Sequence, residues 1–313
     1  MREEIIVSGR MNPYIDPHLH IWHWQIPLYL FLGGLAAGLL FFVAFFVIQG
    51  KEDKYPTATK LATLIVPFVL ILGLFALFLD LKHKLFFWRL YTTVRLESPM
   101  GWGAWTLMII TPISMIWAAS NIRLVFPKWK WPFEWLDQLE VFFNKYKKVL
   151  AWVTIFYALI LGVYTGILFS AFNARPLWNT SILGPLFLVS GMSTGAAAII
   201  LMSRNHEERL TFAKIDLMLI GIELFLIVHM FMGFLASTQV QIDAAQLFLG
   251  GPYTAPFWVF VVGLGLVFPA FLEFLELMKI KIPVFLPAVL VLMGGLILRF
   301  IIANAGQLSR WLY

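Results

Sequence analysis

The sequence predicts an all-α integral membrane protein with about eight transmembrane helices. Of its 313 residues, 61% are hydrophobic and 13% are charged, and the mean hydropathy is +0.85. A soluble domain is about half apolar and a quarter charged. The apolar residues are gathered into runs of about 20, which is the length a helix needs to cross the hydrocarbon core. Both observations exclude an ordinary soluble fold.

Each apolar run predicts one helix. The internal prolines Pro67, Pro112 and Pro269 are compatible with helices because neighbouring helices satisfy the freed carbonyls. The predicted helices cover residues 24–48, 60–81, 102–124, 149–171, 182–202, 214–236, 256–277 and 283–303. Two bundles of four helices are the simplest arrangement. The predicted divisions are an extracytoplasmic segment 1–23 without a signal-peptide pattern, a first bundle 24–171 and a second bundle 172–313.

The distribution of basic residues predicts the orientation. Of the 23 Lys and Arg residues, 14 fall in the first, third, fifth and seventh connections, and nine fall on the opposite side or near it. Basic loops remain in the cytoplasm, so both termini are predicted to be extracytoplasmic. The net charge of +6 is therefore attributed to cytoplasmic loops, and no nucleic-acid partner is expected.

The chain contains no Cys, which excludes disulfides, thiolate nucleophiles, and Cys-held iron–sulfur or zinc sites. It contains six His residues, of which His229 alone lies clearly within a predicted span, while His23 and His83 lie at helix edges. A bis-His haem needs two ligands at matched depth on facing helices. The sequence therefore predicts no metal site, no haem and no iron–sulfur cluster in this chain.

A layer of polar side chains is predicted in the outer part of the membrane. Tyr29, Tyr164 and His229 lie roughly 7–10 Å from the predicted outer helix ends, with Arg299 slightly shallower. His23 and Gln25 stand just above them. Uncharged donors beside an apolar slot suit the carbonyls of a quinone. The alternative is that Tyr29 and Tyr164 are interfacial aromatics whose hydroxyls reach headgroups.

A second polar set lies deeper. Asp216 and Glu223 are seven residues apart and share one face of the sixth helix, and Glu273 lies near the inner end of the seventh. Together with Arg299 and His229 they form a candidate proton path. The alternative is a structural ion pair or a protonated, hydrogen-bonded carboxyl. The pairs Gly34/Gly38 and Gly191/Gly195 predict close helix packing.

Several segments resemble the NrfD/PsrC family of polysulfide reductase-type membrane subunits. The matching segments follow one another in the same order as in the family and extend over almost the whole chain. Its motifs are residues 24–38, Asp80, residues 98–105 with Trp102, Tyr164-Thr165-Gly166, the run with Arg175, Trp178 and Asn179, residues 190–195, Glu223, His229, Gly294-Gly295 and Arg299. The middle motifs are the most specific.

The resemblance implies a haem-free, quinone-binding anchor of an oxidoreductase complex in a prokaryotic cytoplasmic membrane. It further implies a menaquinone or ubiquinone near the extracytoplasmic surface among the first four helices. The expected partners are membrane lipid, a ferredoxin-like iron–sulfur subunit and a molybdopterin or other catalytic subunit. Tyr29 stands where some relatives carry a His, and a phenol exchanges protons less readily near neutral pH. Tyr164 is therefore the stronger candidate, and His23 a possible proton source.

Two other functions are compatible with the sequence. A proton- or ion-coupled transporter would use Asp216, Glu223, Glu273 and Arg299, although the spans show no clear inverted repeat. A purely structural anchor would bind no quinone. Purification distinguishes a transporter from a redox subunit, because a transporter is isolated alone whereas a redox subunit is isolated in an iron-rich complex.

Overall fold

A computed structural model describes residues 22–310. The prediction of an all-helical protein with eight membrane-spanning helices is confirmed, since the described residues contain helices and no strand. The spans are α1 (Gln25–Ile48), α2 (Thr57–Asp80), α3 (Pro99–Val125), α4 (Lys147–Ser170), α5 (Leu183–Met202), α6 (His206–Leu235), α7 (Pro256–Leu277) and α8 (Phe285–Leu308). Apart from residues 22 and 23, the predicted segment 1–23 lies outside the described residues.

Six helix ends extend beyond the predicted ones, four of them by three residues or more. The helix α2 begins at Thr57, where the carboxylate of Glu208 accepts hydrogen bonds from the backbone N–H groups of Thr57 and Ala58. The helix α6 begins at His206, after Asn205 caps it through the backbone N–H of Glu207. Pro99 occupies the first turn of α3, and α8 continues to Leu308.

Short helices lie in the connections. The segment between α2 and α3 contains a 3₁₀ turn at Lys84–Phe86 and the helix Arg89–Thr92. The helix Glu134–Lys145 lies between α3 and α4, and Gln239–Gln246 lies between α6 and α7. None of the residues in Glu134–Lys145 is buried, as expected for an amphipathic helix outside the bundle.

Helix contacts form two rings of four helices, which α1 joins. In one ring α1, α2, α3 and α4 pack in sequence and α4 returns to α1; in the other α5, α6, α7 and α8 do the same. However, α1 packs on α5 about as extensively as on α2, and it also contacts α8. Because α1 contacts both rings, the division of the chain into two domains, 24–171 and 172–313, stays a prediction.

Glycines allow α1 and α5 to approach closely. A Cβ atom added at Gly38 would lie 2.2 Å from the carbonyl oxygen of Gly191, and one at Gly195 would lie 2.8 Å from the carbonyl carbon of Gly38. Gly34 also faces Gly191, because a Cβ atom added at Gly34 would lie 3.5 Å from the Cα atom of Gly191. The sequence pattern of small residues thus marks the contact that joins the two rings.

The end of the molecule that carries Trp22 is called the N-terminal face. There Trp22 exchanges two backbone–side chain hydrogen bonds of 2.9 Å with Gln307. Arg175 donates to the carbonyl oxygens of Gln307 and Ser309, and the indole of Trp178 donates to the carbonyl oxygen of Ile302. Hydrogen bonds therefore hold together the residue that precedes α1, the α4–α5 connection and the end of α8.

Candidate functional site

A small cavity lies inside the first ring of helices, close to the N-terminal face. Its volume is about 60 Å³. The polar groups on its wall are Tyr29 from α1, Asp80 from α2, Tyr164 from α4, and Tyr91 and Trp22 from the connecting segments. The apolar lining residues are Ile26, Leu77, Leu81, Leu90, Met100, Ala104, Leu107 and Leu168. Three phenols and one carboxyl group thus converge on an apolar space.

Tyr29 and Tyr164, the two predicted quinone-binding tyrosines, both line this cavity. Their exposed fractions are 3% and 7%. Neither hydroxyl forms a hydrogen bond to any residue between 22 and 310. Because a buried phenol ordinarily finds a partner, both hydroxyls are free to donate to a ligand in the cavity.

Asp80 is the last residue of α2 and is half-buried at the cavity wall. A carboxylate at a helix C-terminus faces the negative end of the helix dipole, so this position does not favour stability. His23 lies close enough to Asp80 to interact electrostatically, although its own side chain is exposed and does not line the cavity. His23 and Asp80 are thus neighbouring ionisable groups where the cavity is closest to the N-terminal face.

Tyr91 and Trp22 belong to the cavity but were not predicted. Tyr91 lies in the helix Arg89–Thr92, and its backbone carbonyl accepts a 3.2 Å hydrogen bond from the indole of Trp105 on α3. Burial raises the pKa of the Tyr91 phenol, so it is protonated and able to donate at neutral pH. The ring of Trp22 stacks on that of Trp178 at 5.1 Å. Neither Tyr91 nor Trp22 lies in a sequence motif that predicts a binding site.

An apolar groove of about 610 Å³ adjoins the cavity on the outer side of α3 and α4. Tyr164 lines both spaces. The other lining residues are Leu96, Glu97, Pro99, Trp102, Leu159, Ile160, Val163 and Ile167. The predicted motif residue Trp102 lies in this groove, with its indole nitrogen donating to the carbonyl oxygen of Leu96 at 2.8 Å.

A second polar cluster lies within the other ring. Arg299 is fully buried and donates to the hydroxyl of Ser190 at 2.7 Å and to the carbonyl oxygen of Gly295 at 2.8 Å. Glu223, 2% exposed, lies near the same Ser190 and faces Arg299. A buried cation and a buried carboxylate thus lie beside one hydroxyl, and their attraction limits the cost of burying both.

Asp216 and Glu273 continue this cluster toward the face opposite the N-terminal one. Asp216 is fully buried and accepts a 2.6 Å hydrogen bond from Ser193. The Glu273 carboxyl group is its neighbour, and both oxygens of Glu273 are buried without a hydrogen-bond partner among the described residues. Glu223 is also near enough to Asp216 to interact electrostatically. The four ionisable residues therefore form a continuous track across three helices.

Other predicted site residues lie outside both clusters. His229 is exposed on α6 and stacks on Phe225 at 5.8 Å. Gln25 does not line the cavity, and its side-chain oxygen is buried without a hydrogen-bond partner among the described residues. Asn179 accepts a hydrogen bond at its backbone oxygen from Gln241. Asn179 thus joins Arg175 and Trp178 in holding the connections of the N-terminal face together.

The predicted shallow depth of Arg299 was wrong. The prediction ended the last helix at residue 303, but α8 continues to Leu308. Arg299 therefore lies nine residues, or about 13 Å, from the helix end. It belongs with the acidic residues of the second ring and not with the tyrosines of the first.

Three relatives resemble this chain in sequence. A polysulfide reductase chain of Wolinella succinogenes is 33% identical over 303 residues, which cover 92% of this chain and 94% of the relative. Protein NrfD of Escherichia coli is 31% identical, with 92% and 96% coverage. A tetrathionate reductase subunit of Salmonella typhimurium is 27% identical over 190 residues, covering 60% of this chain and 50% of the relative.

The family model described as "Polysulphide reductase, NrfD" matches residues 14–309. That range contains all eight spans, the cavity and the acidic track. This chain belongs to the NrfD family of polysulphide reductase membrane proteins.

Proposed function

We propose that this chain is the quinone- or quinol-binding membrane anchor of a multi-subunit oxidoreductase. The observation that carries the proposal is the convergence of Tyr29, Tyr91, Tyr164 and Asp80 on one apolar cavity. Membership of the NrfD family supports an anchoring role in a reductase complex.

The cavity residues fit the chemistry of a quinone head. A quinone supplies a two-electron, two-proton couple and presents two carbonyl oxygens at opposite ends of a flat ring. The hydroxyls of Tyr29 and Tyr164 donate to those oxygens without placing a permanent charge in the membrane. Asp80 and His23 exchange protons with the aqueous N-terminal face. Menaquinone and ubiquinone share these recognition features.

Electrons must pass to or from another subunit. The chain has no Cys, and no group of three His, Asp or Glu residues within positions 22–310 is arranged to hold a metal ion. We infer a ferredoxin-like iron–sulfur partner at the N-terminal face, where the cavity is nearest to the surface. A molybdopterin or other catalytic subunit would bind that partner, consistent with the names of the polysulfide and tetrathionate reductase relatives.

The acidic track is a proton path toward the opposite face in this proposal. Glu273, Asp216 and Glu223 lead from the inner end of α7 to Arg299 at the middle of α8. The excess of basic residues in the connections of that face supports a cytoplasmic location for it. Both chain termini are then extracytoplasmic, in the cytoplasmic membrane of a prokaryote.

The test compares two tyrosines of α4 in the purified complex. Replacing Tyr164→Phe removes one hydroxyl from the cavity and should lower quinone-linked turnover about tenfold to 100-fold. Turnover of the catalytic subunit with an artificial dye should not change. Tyr157→Phe is the matched control, since Tyr157 lies two turns away on the same helix and outside the cavity.

Equal quinone-linked turnover in the Tyr164→Phe variant and the wild type would contradict the assignment of Tyr164. A chain that purifies alone and binds no quinone would contradict the proposal as a whole. In that case the buried acidic track would favour an ion-coupled transporter.

A further inference from the structure

The cavity is too small for the ligand proposed above. Its volume of about 60 Å³ accommodates about two water molecules, at about 30 Å³ each. The adjoining groove is ten times larger, about 610 Å³, and nearly all of its wall is apolar. The Tyr164 ring stands between the two spaces and contributes to the wall of each.

The ring of Tyr164 occupies the space of a missing side chain on α3. A Cβ atom added at Gly103 would lie 2.0 Å from Cζ and 2.2 Å from the hydroxyl oxygen of Tyr164. Any residue other than glycine at position 103 therefore displaces the phenol. The groove borders the other side of the same ring, so displacement is possible in that direction.

We propose that Tyr164 is a gate between the lipid-facing groove and the polar cavity, and that Gly103 is the positioning residue that seats the closed gate. The ring of an isoprenoid quinone passes Tyr164 to enter the cavity, and its tail remains in the groove. This inference rests on the proposed function. It adds a tail-binding site and a residue that quinone chemistry alone does not require.

Continuity between the two spaces identifies the occupant of the groove. A ligand that enters from the groove and reaches Tyr29 and Tyr91 passes Tyr164 and leaves its remaining length between α3 and α4. The lining there is Leu96, Pro99, Trp102, Leu159, Ile160, Val163 and Ile167, with Glu97 at one edge. Such a wall suits a prenyl chain, because it offers almost no hydrogen-bonding group.

A double-mutant cycle tests the contact between Gly103 and the Tyr164 ring. The equilibrium Kd of a long-tailed menaquinone analogue is measured in lipid nanodiscs for Gly103→Ala, Tyr164→Leu and the double variant. Gly103→Ala should lower the Kd about tenfold, because the ring seated at Gly103 leaves too little space for the head and the substitution removes this closed, empty state. In the Tyr164→Leu background the same change should have an effect below about twofold. Gly101→Ala is the control, since its Cβ would meet its nearest neighbour at 3.5 Å.

An unchanged or raised Kd in Gly103→Ala, or an equal change in the Tyr164→Leu background, would overturn the gate. A wild-type chain that binds no quinone would overturn the proposed function itself, which separates the two failures. In the complex, Gly103→Ala should lower the KM for quinol more than it changes kcat. Tyr164→Phe, which keeps the ring, should lower kcat and leave the KM nearly unchanged.

A second comparison tests the groove without altering the gate. Ile160→Trp fills the groove, whereas Phe156→Trp adds to an exposed position of the same helix, where Phe156 is 60% exposed. Ile160→Trp should weaken binding of the long-tailed analogue about tenfold and leave a tail-less analogue unaffected. Phe156→Trp should change neither. Equal weakening of both analogues, or of neither, would contradict tail binding in the groove.

Discussion

The two rings of helices bury their polar groups in opposite ways. In the first ring, Tyr29 and Tyr164 face a cavity and have hydroxyls without protein partners among the residues that the structure describes. In the second ring, Glu223 faces Arg299 beside Ser190, and Asp216 is bonded to Ser193. One ring leaves uncharged donors for a ligand, whereas the other places opposite charges and hydroxyl groups side by side.

This difference separates ligand binding from charge compensation within one chain. Uncharged donors can be left unpaired in a small cavity at modest cost, but an unpaired charge in the membrane cannot. Substitutions in the first ring should therefore change quinone chemistry with little loss of stability. Substitutions in the second should first of all reduce stability.

The largest effect is expected for the buried cation. Replacing Arg299→Gln leaves Glu223 buried without its counter-charge and should reduce the free energy of unfolding by about 3–5 kcal/mol. Thermal unfolding in nanodiscs, followed by Trp fluorescence, measures the loss. The double variant Glu223→Gln/Arg299→Gln should recover most of it, since both charges are then absent. Equal stability of the single variant and the wild type would show that the charges are not paired.

The next effect concerns the contact that joins the rings. A side chain at Gly38 would overlap the backbone of Gly191, so Gly38→Ala should cost about 1–3 kcal/mol of unfolding free energy. The matched control is Gly221→Ala on α6, where an added Cβ has no atom within 4 Å. Equal thermal stability of the two variants would place the helix crossing elsewhere.

A catalytic effect without a stability effect is expected at Asp80. Replacing Asp80→Asn removes a proton-exchanging group that has no hydrogen bond within the described part of the chain, and should lower quinone-linked turnover about tenfold. The unfolding temperature should stay the same or rise slightly, because a charge at a helix C-terminus is removed. Asp53→Asn, at a side chain that is 99% exposed, is the control for both measurements. Loss of stability together with turnover would make Asp80 a structural residue.

The smallest effect concerns the position of Tyr91. Replacing Trp105→Phe removes the hydrogen bond to the Tyr91 carbonyl and should raise the KM for quinol about twofold to fivefold. Trp131→Phe removes a comparable bond, to Glu140 outside the cavity, and should leave the KM unchanged. A KM that responds equally to both substitutions would separate Tyr91 from the quinone site.

Much of the fold could be predicted from the sequence because the length and polarity of a span are local properties. The eight helices and the glycine pairs of α1 and α5 follow from them directly. Helix ends were harder to predict. The polar residues after 303 indicated a loop, yet Gln307 remains helical and is bonded to Trp22.

The candidate site could be predicted only in part, because depth is readable from a sequence and rotation about the bundle is not. His229 has a depth close to that of Tyr29. However, it follows the buried Glu223 by six residues, a spacing that points its side chain about 120° away from the buried face of the helix. It is consequently exposed. Tyr91 lies in a basic connection, and the space at Gly103 exists only between two packed helices. No local pattern identifies either residue.

Photolabelling with an azido-quinone is the most direct test of a quinone site in the first ring. The complex is illuminated in its native lipid, and labelled peptides are identified by mass spectrometry with and without excess unlabelled quinone. Competable labels should fall on α1, the end of α2, the connection with Tyr91 and the outer half of α4. Competable labels confined to α5–α8, or labels that excess quinone does not displace, would contradict the account.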